Sequence, residues 1–131
     1  MAEFPGLAHV ALTVTDLRAS AEWYGKLLGT DPVLDEDAGG FHHIVYALPG
    51  GTLLGLHSHP DTDSSDRFNE YGAGLDHLAF ACKDRAELES WGARLEELGI
   101  AYSPIKDAHY GSGLSFRDPD NIALELFCPP S

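Results

Sequence analysis

The sequence predicts an α+β fold built from two tandem βαβββ modules, with eight strands and two helices in all. Three observations carry this prediction. Residues 68 positions apart match over a long stretch: Gly6-Leu7 with Gly74-Leu75, His9 with His77, Ala11 with Ala79, Asp16 with Asp84, Trp23 with Trp91, and Leu27 with Leu95. The same shift carries Leu54-Gly55-Leu56-His57 onto Ile122-Ala123-Leu124-Glu125. Short apolar runs alternate with a period of two, as half-buried strands do, and each copy holds one helix pattern behind an acidic cap. One domain is expected over residues 1–131, with module 1 at about 6–60 and module 2 at about 74–128.

Leu7 to Val14 reads as the first strand, with His9, Ala11 and Thr13 on one face and Val10, Leu12 and Val14 on the other. Asp16 stands where an N-cap is wanted, ahead of a helix through Leu28 whose buried stripe is expected to include Trp23 and Leu27; Gly29 stops it. Strands are expected near Pro32 to Asp35, Phe41 to Leu48 and Thr52 to Ser58, separated by Ala38-Gly39-Gly40 and Pro49-Gly50-Gly51 turns. The polar stretch Asp61 to Gly74 reads as a linker or a lid. The order then repeats. Leu75 to Ala81 is a strand, and Asp84 caps a helix striped by Leu88, Trp91 and Leu95 and stopped by Gly99. Further strands are expected near Ala101 to Ile105, Leu114 to Arg117 and Ile122 to Phe127, with Asp118-Pro119-Asp120-Asn121 as a hairpin turn and Asp107 to Gly113 as a flexible loop.

Composition narrows the function classes. A net charge of −13 argues against nucleic acid and anionic membrane as partners, because phosphate contacts need clustered Lys and Arg. No run is long and apolar enough for a membrane span, and the start Met1-Ala2-Glu3-Phe4-Pro5-Gly6 has no basic leader, so a cytoplasmic location is expected. Cys82 and Cys128 sit in apolar strand-like runs and read as buried free thiols. Uncovered edges of two four-stranded sheets invite pairing, so a symmetric homodimer is expected.

The repeat pairs four possible metal ligands, His9 with His77 and His57 with Glu125. A lone histidine in a strand is more often a hydrogen-bonded structural residue than a ligand. The symmetric placement of all four argues the other way, and a carboxylate between Leu124 and Leu126 is costly to bury unless it is paired or bound to metal. Three imidazoles and one carboxylate suit a divalent ion such as Fe, Mn, Ni, Co or Zn, and an ion with one anionic ligand keeps net positive charge for Lewis-acid chemistry. Of the remaining histidines, His42 and His43 lie on opposite faces of one strand, His59 lies on the His57 face, and His109 lies with Tyr110 in the glycine-rich loop. No phosphate-cradling loop or nucleophile elbow is present.

These segments resemble the vicinal oxygen chelate superfamily, the group of glyoxalases, bleomycin-resistance proteins and extradiol dioxygenases. The resemblance runs through Leu7-Ala8-His9-Val10-Ala11-Leu12, Trp23-Tyr24, Leu28-Gly29, Leu75-Asp76-His77-Leu78-Ala79-Phe80 and Phe116-Arg117-Asp118-Pro119-Asp120-Asn121-Ile122-Ala123-Leu124-Glu125-Leu126. It implies a curved, cavity-enclosing sheet arrangement with the helices outside. It also implies metal ligands at His9, His77 and Glu125, with His57 where glyoxalases and methylmalonyl-CoA epimerases carry a fourth ligand, Glu or Gln. The implied function is a metal-dependent lyase or isomerase acting on a small oxygenated substrate, with Glu125 or another cavity side chain as the general base. Departures bear on the subfamily: Thr13 stands where bacterial glyoxalase I carries Arg, Ala11 where thiol-transferring fosfomycin-resistance proteins carry Thr, and Ser115 where extradiol dioxygenases carry Tyr. The alternatives are an extradiol-like dioxygenase and a metal-free binding protein for a small molecule or antibiotic, with an aromatic groove drawn from Trp23, Tyr24, Phe41, Tyr46 or Tyr110.

Overall fold

The computed structural model describes residues 2–131 and divides into two compact units, one ending at Asp66 and the other beginning at Arg67. Each is a βαβββ module.

Unit 1 runs β1 (His9–Thr13), α1 (Leu17–Leu28), β2 (Leu34–Asp37), β3 (His42–Ala47) and β4 (Leu53–Ser58). Its sheet has the order β1-β4-β3-β2, with β1 parallel to β4 and the other pairs antiparallel. The Asp16 carboxylate accepts from Ala19 N–H at 3.1 Å and starts α1. Gly29 ends it in the left-handed region at φ 68°, its N–H donating to the Gly25 carbonyl at 2.9 Å. The helix lays Ser20, Tyr24 and Leu27 over a sheet face of Leu12, Val14, Ile44, Tyr46, Leu54 and Leu56, all buried. The Tyr46 hydroxyl donates to the Ala21 carbonyl at 2.8 Å, tying helix to sheet.

Two expectations shift here. The buried aromatic of α1 is Tyr24, at 0% exposure, while Trp23 is half-buried and packs edge-on against it at 4.9 Å. Positions 20, 24 and 27 keep the helical i, i+4, i+7 stripe, and position 23 flanks it. The second strand begins at Leu34, two residues later than expected. Arg18 and His42 both hold Asp35, at 2.7 and 2.6 Å, which anchors β2 alongside β3.

Unit 2 runs β5 (Leu78–Ala81), α2 (Arg85–Glu97), β6 (Lys106–Ala108), β7 (Gly111–Arg117) and β8 (Ala123–Cys128). The sheet order β5-β8-β7-β6 repeats that of unit 1, again with the first and last strands parallel. Asp84 caps α2 through Glu87 N–H at 2.9 Å. Leu88, Gly92 and Leu95 are the buried residues of the helix; Trp91, expected in the stripe, is half-buried. The sheet contributes Leu114, Phe116, Ile122, Leu124 and Leu126 to the core. Cys82 and Cys128 are buried and free, and burial pushes the Cys82 thiol up to about 11, so it is unreactive at neutral pH.

The strand expected at Ala101 to Ile105 reduces to a single bridge, Tyr102 to Phe116, because Pro104 cannot donate to a ladder. The strand beside β7 on the side away from β8 is instead β6, and the glycine-rich segment expected to be a flexible loop is a tight β6–β7 hairpin with His109 and Tyr110 at its turn. The Asp118–Asn121 turn is as expected. Asp118 Oδ1 accepts from the N–H groups of Asp120 and Ile122, both at 2.8 Å, and Asn121 takes φ 66°. The stretch read as a linker or lid divides at residue 66. Its second part is strapped to that turn: Phe68 N–H donates to the Asp120 carbonyl at 2.9 Å, Asn121 Nδ2 to the Phe68 carbonyl at 3.1 Å, and Arg117 grips Glu70 through two bonds of 3.0 and 2.7 Å. Among the described residues no helix is long and apolar enough to cross a membrane.

Candidate metal centre

Side chains on the sheet face away from each helix are the candidates for chemistry. In unit 1 the pairings Thr13–His57–His43 and Ala11–Gly55–Val45 place these residues on that face, and His9 shares it. His9 is exposed and His57 is half-buried. Phe41 stacks on the His57 ring at 4.6 Å and 15°, His43 meets it edge-on at 5.6 Å, and His59 lies 6.0 Å away. Burial lowers the His57 pKa, and the charges that His43, His59 and His9 would carry push it the same way. A neutral imidazole is the form that binds metal, so this environment keeps His57 competent as a ligand. His43 Nε2 is buried without a hydrogen-bond partner, with Glu36 Oε1 3.7 Å away. His42 points to the other face and bridges Asp35 and Asp37, which raise its pKa.

In unit 2, His77 precedes β5, and its Nδ1 lies 2.7 Å from Asp76 Oδ1. An ionised carboxylate only accepts, so Nδ1 carries the shared proton, and in the neutral ring Nε2 keeps its lone pair. That Nε2 faces Glu125 Oε1 at 3.7 Å, too far for a hydrogen bond. Two lone-pair donors facing each other across such a gap suit a cation, and a carboxylate behind a histidine is the usual support of a metal ligand. Glu125 reaches this face from β8 while Leu124 and Leu126 turn into the core. Its other oxygen lies over Gly113, where a Cβ would come within 2.8 Å of Oε2. Gly113 has no left-handed φ, so what the position needs from glycine is space. Beside Glu125 opens a cleft of about 200 Å³, lined by Ser103, Lys106, Tyr110, Ser115 and Phe127 among others.

The structure therefore brings His77 together with Glu125, and gathers His43 and His59 around His57. Among the described residues no three His, Cys, Asp or Glu side chains are already grouped as a metal cage. The strand pairing revises the sequence repeat at one point. Ala79 lies opposite Glu125, whereas Ala11, its repeat counterpart, lies opposite Gly55 rather than His57. The last strands therefore correspond with an offset of 70, not 68, and His57 stands two residues beyond the Glu125 position. Asp76, Gly113 and Phe41 were not singled out as contributors to the centre from sequence; the Asp-His dipeptide was the available signal for the first. Of the proposed groove aromatics, Tyr24 and Tyr46 are core residues, whereas Tyr110 is exposed and stacks over Phe127 at 6.4 Å.

Comparison with known proteins identifies the family and the fold. The family model of the glyoxalase/bleomycin resistance protein/dioxygenase superfamily matches residues 6–126. A crystal structure of a glyoxylase/bleomycin resistance protein/dioxygenase domain from Frankia sp. EAN1pec superposes with a TM-score of 0.88 at 34% identity, covering 98% of this chain and 95% of that one. Among curated proteins, MhqA of Bacillus subtilis (strain 168), named as a ring-cleaving dioxygenase, is 28% identical over 94% of this chain, which spans only 39% of its length. Biphenyl-2,3-diol 1,2-dioxygenase 3 of Rhodococcus globerulus is 30% identical over 93% of this chain and 62% of its own. The metallothiol transferase FosB of Staphylococcus haemolyticus (strain JCSC1435) is 25% identical over 92% of this chain and 81% of its own.

Proposed function

Because the chain belongs to the glyoxalase/bleomycin resistance protein/dioxygenase superfamily, we propose that it is a metal-dependent enzyme acting on a small oxygenated substrate, with His9, His57, His77 and Glu125 as its metal-ligand candidates. The observation that carries the proposal is the Asp76–His77–Glu125 arrangement, in which one histidine nitrogen is held at 2.7 Å and the other faces a carboxylate oxygen at 3.7 Å. A bound divalent ion would act as a Lewis acid toward paired substrate oxygens. The protein's own groups have separate tasks. Asp76 fixes the His77 tautomer and ring direction. Glu125 splits its oxygens, one toward His77 and one over Gly113 at the cleft, and as the base it would take a substrate proton there. Lys106, Ser115 and Tyr110 offer hydrogen-bond donors along the same cleft, and Phe127 offers an apolar wall.

A glyoxalase-like lyase or isomerase is the activity we propose first, since it uses Glu125 as a base. An extradiol-like dioxygenase is the second reading, favoured by the names of MhqA and the biphenyl-diol enzyme. Metal analysis of protein purified without chelator tests the shared premise. Oxygen uptake with a panel of catechols then separates the two: consumption supports the dioxygenase, and proton exchange at a carbon next to a carbonyl without oxygen uptake supports the isomerase. Protein that holds no divalent ion even after Zn(II), Mn(II) and Fe(II) loading would sink both and favour a metal-free binding role. A homodimer in the cytoplasm completes the proposal; light scattering at micromolar concentration that gives the monomer mass would remove its dimeric part.

A further inference from the structure

The β2–β3 hairpin joins a charged network on one face of the unit 1 sheet to His57 on the other. On the helix side, His42 Nε2 lies 2.6 Å from Asp35 Oδ1, and His42 Nδ1 lies 2.9 Å from Asp37 Oδ1. An ionised carboxylate only accepts, and a neutral imidazole has one N–H, so the doubly protonated ring alone makes both bonds. The groups around His42 are Asp35 and Asp37 from β2 and, from β4, the uncharged Ser58 opposite it in the ladder. From α1, Arg18 reaches Asp35 through bonds of 2.7 and 3.2 Å. The hydrogen bonds to Asp35 and then Asp37 raise the His42 pKa, and desolvation opposes them.

The two carboxylates are not equally held. Asp35 keeps Arg18 whatever His42 does; bonds from Arg18 and then His42 draw its carboxyl down to about 2. The Asp37 carboxylate is 89% exposed and makes no other hydrogen bond or ion pair among the described residues. Asp37 and His42 are also the last pair of the β2–β3 ladder. Beyond them the chain turns through Gly39 and Gly40, at φ 77° and 100°, and Ala38 N–H closes the turn on the Phe41 carbonyl at 2.8 Å. From this tip the Phe41 ring stacks on His57, with 4.6 Å between centroids and 15° between planes. The same ring lies 5.4 Å from that of His59 and 5.8 Å from that of His43. Phe41 thus covers a half-buried imidazole from the end of a hairpin, and the side-chain bond that fastens this end is the one between His42 and Asp37.

We propose that the β2–β3 hairpin is a pH-operated cover over His57: protonated His42 latches Asp37 and holds Phe41 down, and loss of one ring proton frees the tip. The neutral ring keeps one N–H and turns a lone pair toward the other carboxylate. Asp35 stays with Arg18, so Asp37 is the group released. The direction follows from the sign of the His42 shift. The latch is complete below the ordinary histidine value of 6.5 and is lost as pH rises through the higher folded value. His42 points away from His57, so the latch needs no metal and does not depend on His57 being a ligand. A small molecule or ion approaching His57 past Phe41 would find the way closed at lower pH and open at higher pH.

The test uses the full chain free of metal, followed by NMR from about pH 5 to about pH 9. Imidazole 15N spectra should show both His42 nitrogens protonated at the acid end and a His42 midpoint above 6.5. Through that midpoint, amide exchange at residues 38–42, corrected for its intrinsic pH dependence, should quicken at least about 3-fold. Contacts between the Phe41 and His57 rings should weaken in step. His42→Gln carries no charge and should show the open tip at every pH. Asp37→Asn should lower the His42 midpoint and abolish most of the pH dependence at the tip while the Asp35 bonds remain. Titration of His57 itself is read in the same spectra, and Asp37→Asn leaves that ring untouched. A pH response at the tip that persists in Asp37→Asn therefore belongs to another group and overturns the latch. Thermal melts show whether each variant folds; if His42→Gln does not, Asp37→Asn decides. A His42 midpoint at or below 6.5, or tip exchange that ignores pH in the wild type, also overturns the proposal. Zn(II) binding is not a readout, so either outcome leaves the metal reading to its own test.

Discussion

Replacing Gly113 with alanine changes one carbon and isolates the placement of the Glu125 carboxylate. The new Cβ would stand 2.8 Å from Glu125 Oε2 and 3.1 Å from its Cδ. Ordinary contact begins at about 3.4 Å, so the carboxylate must retreat by about 0.6 Å. The backbone at 113 tolerates alanine, and the obstructing group is the end of a flexible side chain, so the carboxylate yields before the sheet does. Metal–ligand distances tolerate shifts of about 0.2 Å, roughly a third of this displacement. Zn(II) affinity is therefore expected to fall about 10- to 100-fold, or about 1.4–2.7 kcal/mol, while stability of the metal-free chain changes by less than about 1 kcal/mol. Gly111→Ala is the contrast. That Cβ would run into the Phe127 ring and the Cys128 carbonyl at φ 144°, so this variant should lose stability outright. Chelator competition and urea melts on both variants, with Glu125→Gln alongside, complete the assay. If Gly113→Ala binds Zn(II) within about twofold of wild type while Glu125→Gln does not bind, the argument from carboxylate placement is wrong.

Further outcomes follow from other contacts. Asp76→Asn should keep the fold and weaken metal binding about 10- to 100-fold, because His77 loses the acceptor that sets its tautomer; unchanged affinity would remove Asp76 from the centre. The Arg117 guanidinium, by its hydrogen bonds, holds the Glu70 carboxyl down to about 2. Stability from this pair is present above the ordinary carboxyl value of 4.5 and is lost as pH falls from there toward 2. The difference in Tm between wild type and Arg117→Ala should shrink across that window, and a constant difference would show that the pair contributes nothing through charge. Tyr46→Phe should cost about 1 kcal/mol in urea unfolding, as the Ala21 carbonyl loses its buried donor. Asp84→Ala should cost about 1 kcal/mol through the α2 cap, and no change would mean that the capping bond to Glu87 N–H is not retained in solution.

Much of this was legible in the sequence, and the failures have physical causes. The caps at Asp16 and Asp84, the stop at Gly29 and the turn at Asn121 were readable because each depends on local backbone chemistry. The pairing of His57 with Glu125 was not, since an alternating strand looks alike after a slip of two: Leu54-Gly55-Leu56-His57 matches Ile122-Ala123-Leu124-Glu125 in pattern although the ladders align it otherwise. Gly111 and Gly113 suggested flexibility because glycine signals both mobility and close approach. Only the Phe127 and Glu125 side chains lying over them reveal which applies. The strap around Glu70 depends on an ion pair spanning 47 residues, which no local pattern announces.

The offset between the two modules has a consequence for how such a chain can change over generations. Insertion of a single residue ahead of β4 would turn every side chain of that strand over, sending Leu54 and Leu56 to water and a histidine into the core. Selection would remove such a chain before its chemistry could be tried. Insertion of two leaves the hydrophobic face intact and carries the polar positions forward by one full pleat. A shift of register in this strand is thus confined to even steps, and each such step moves the polar face along by one pleat while Leu54 and Leu56 stay on the buried side.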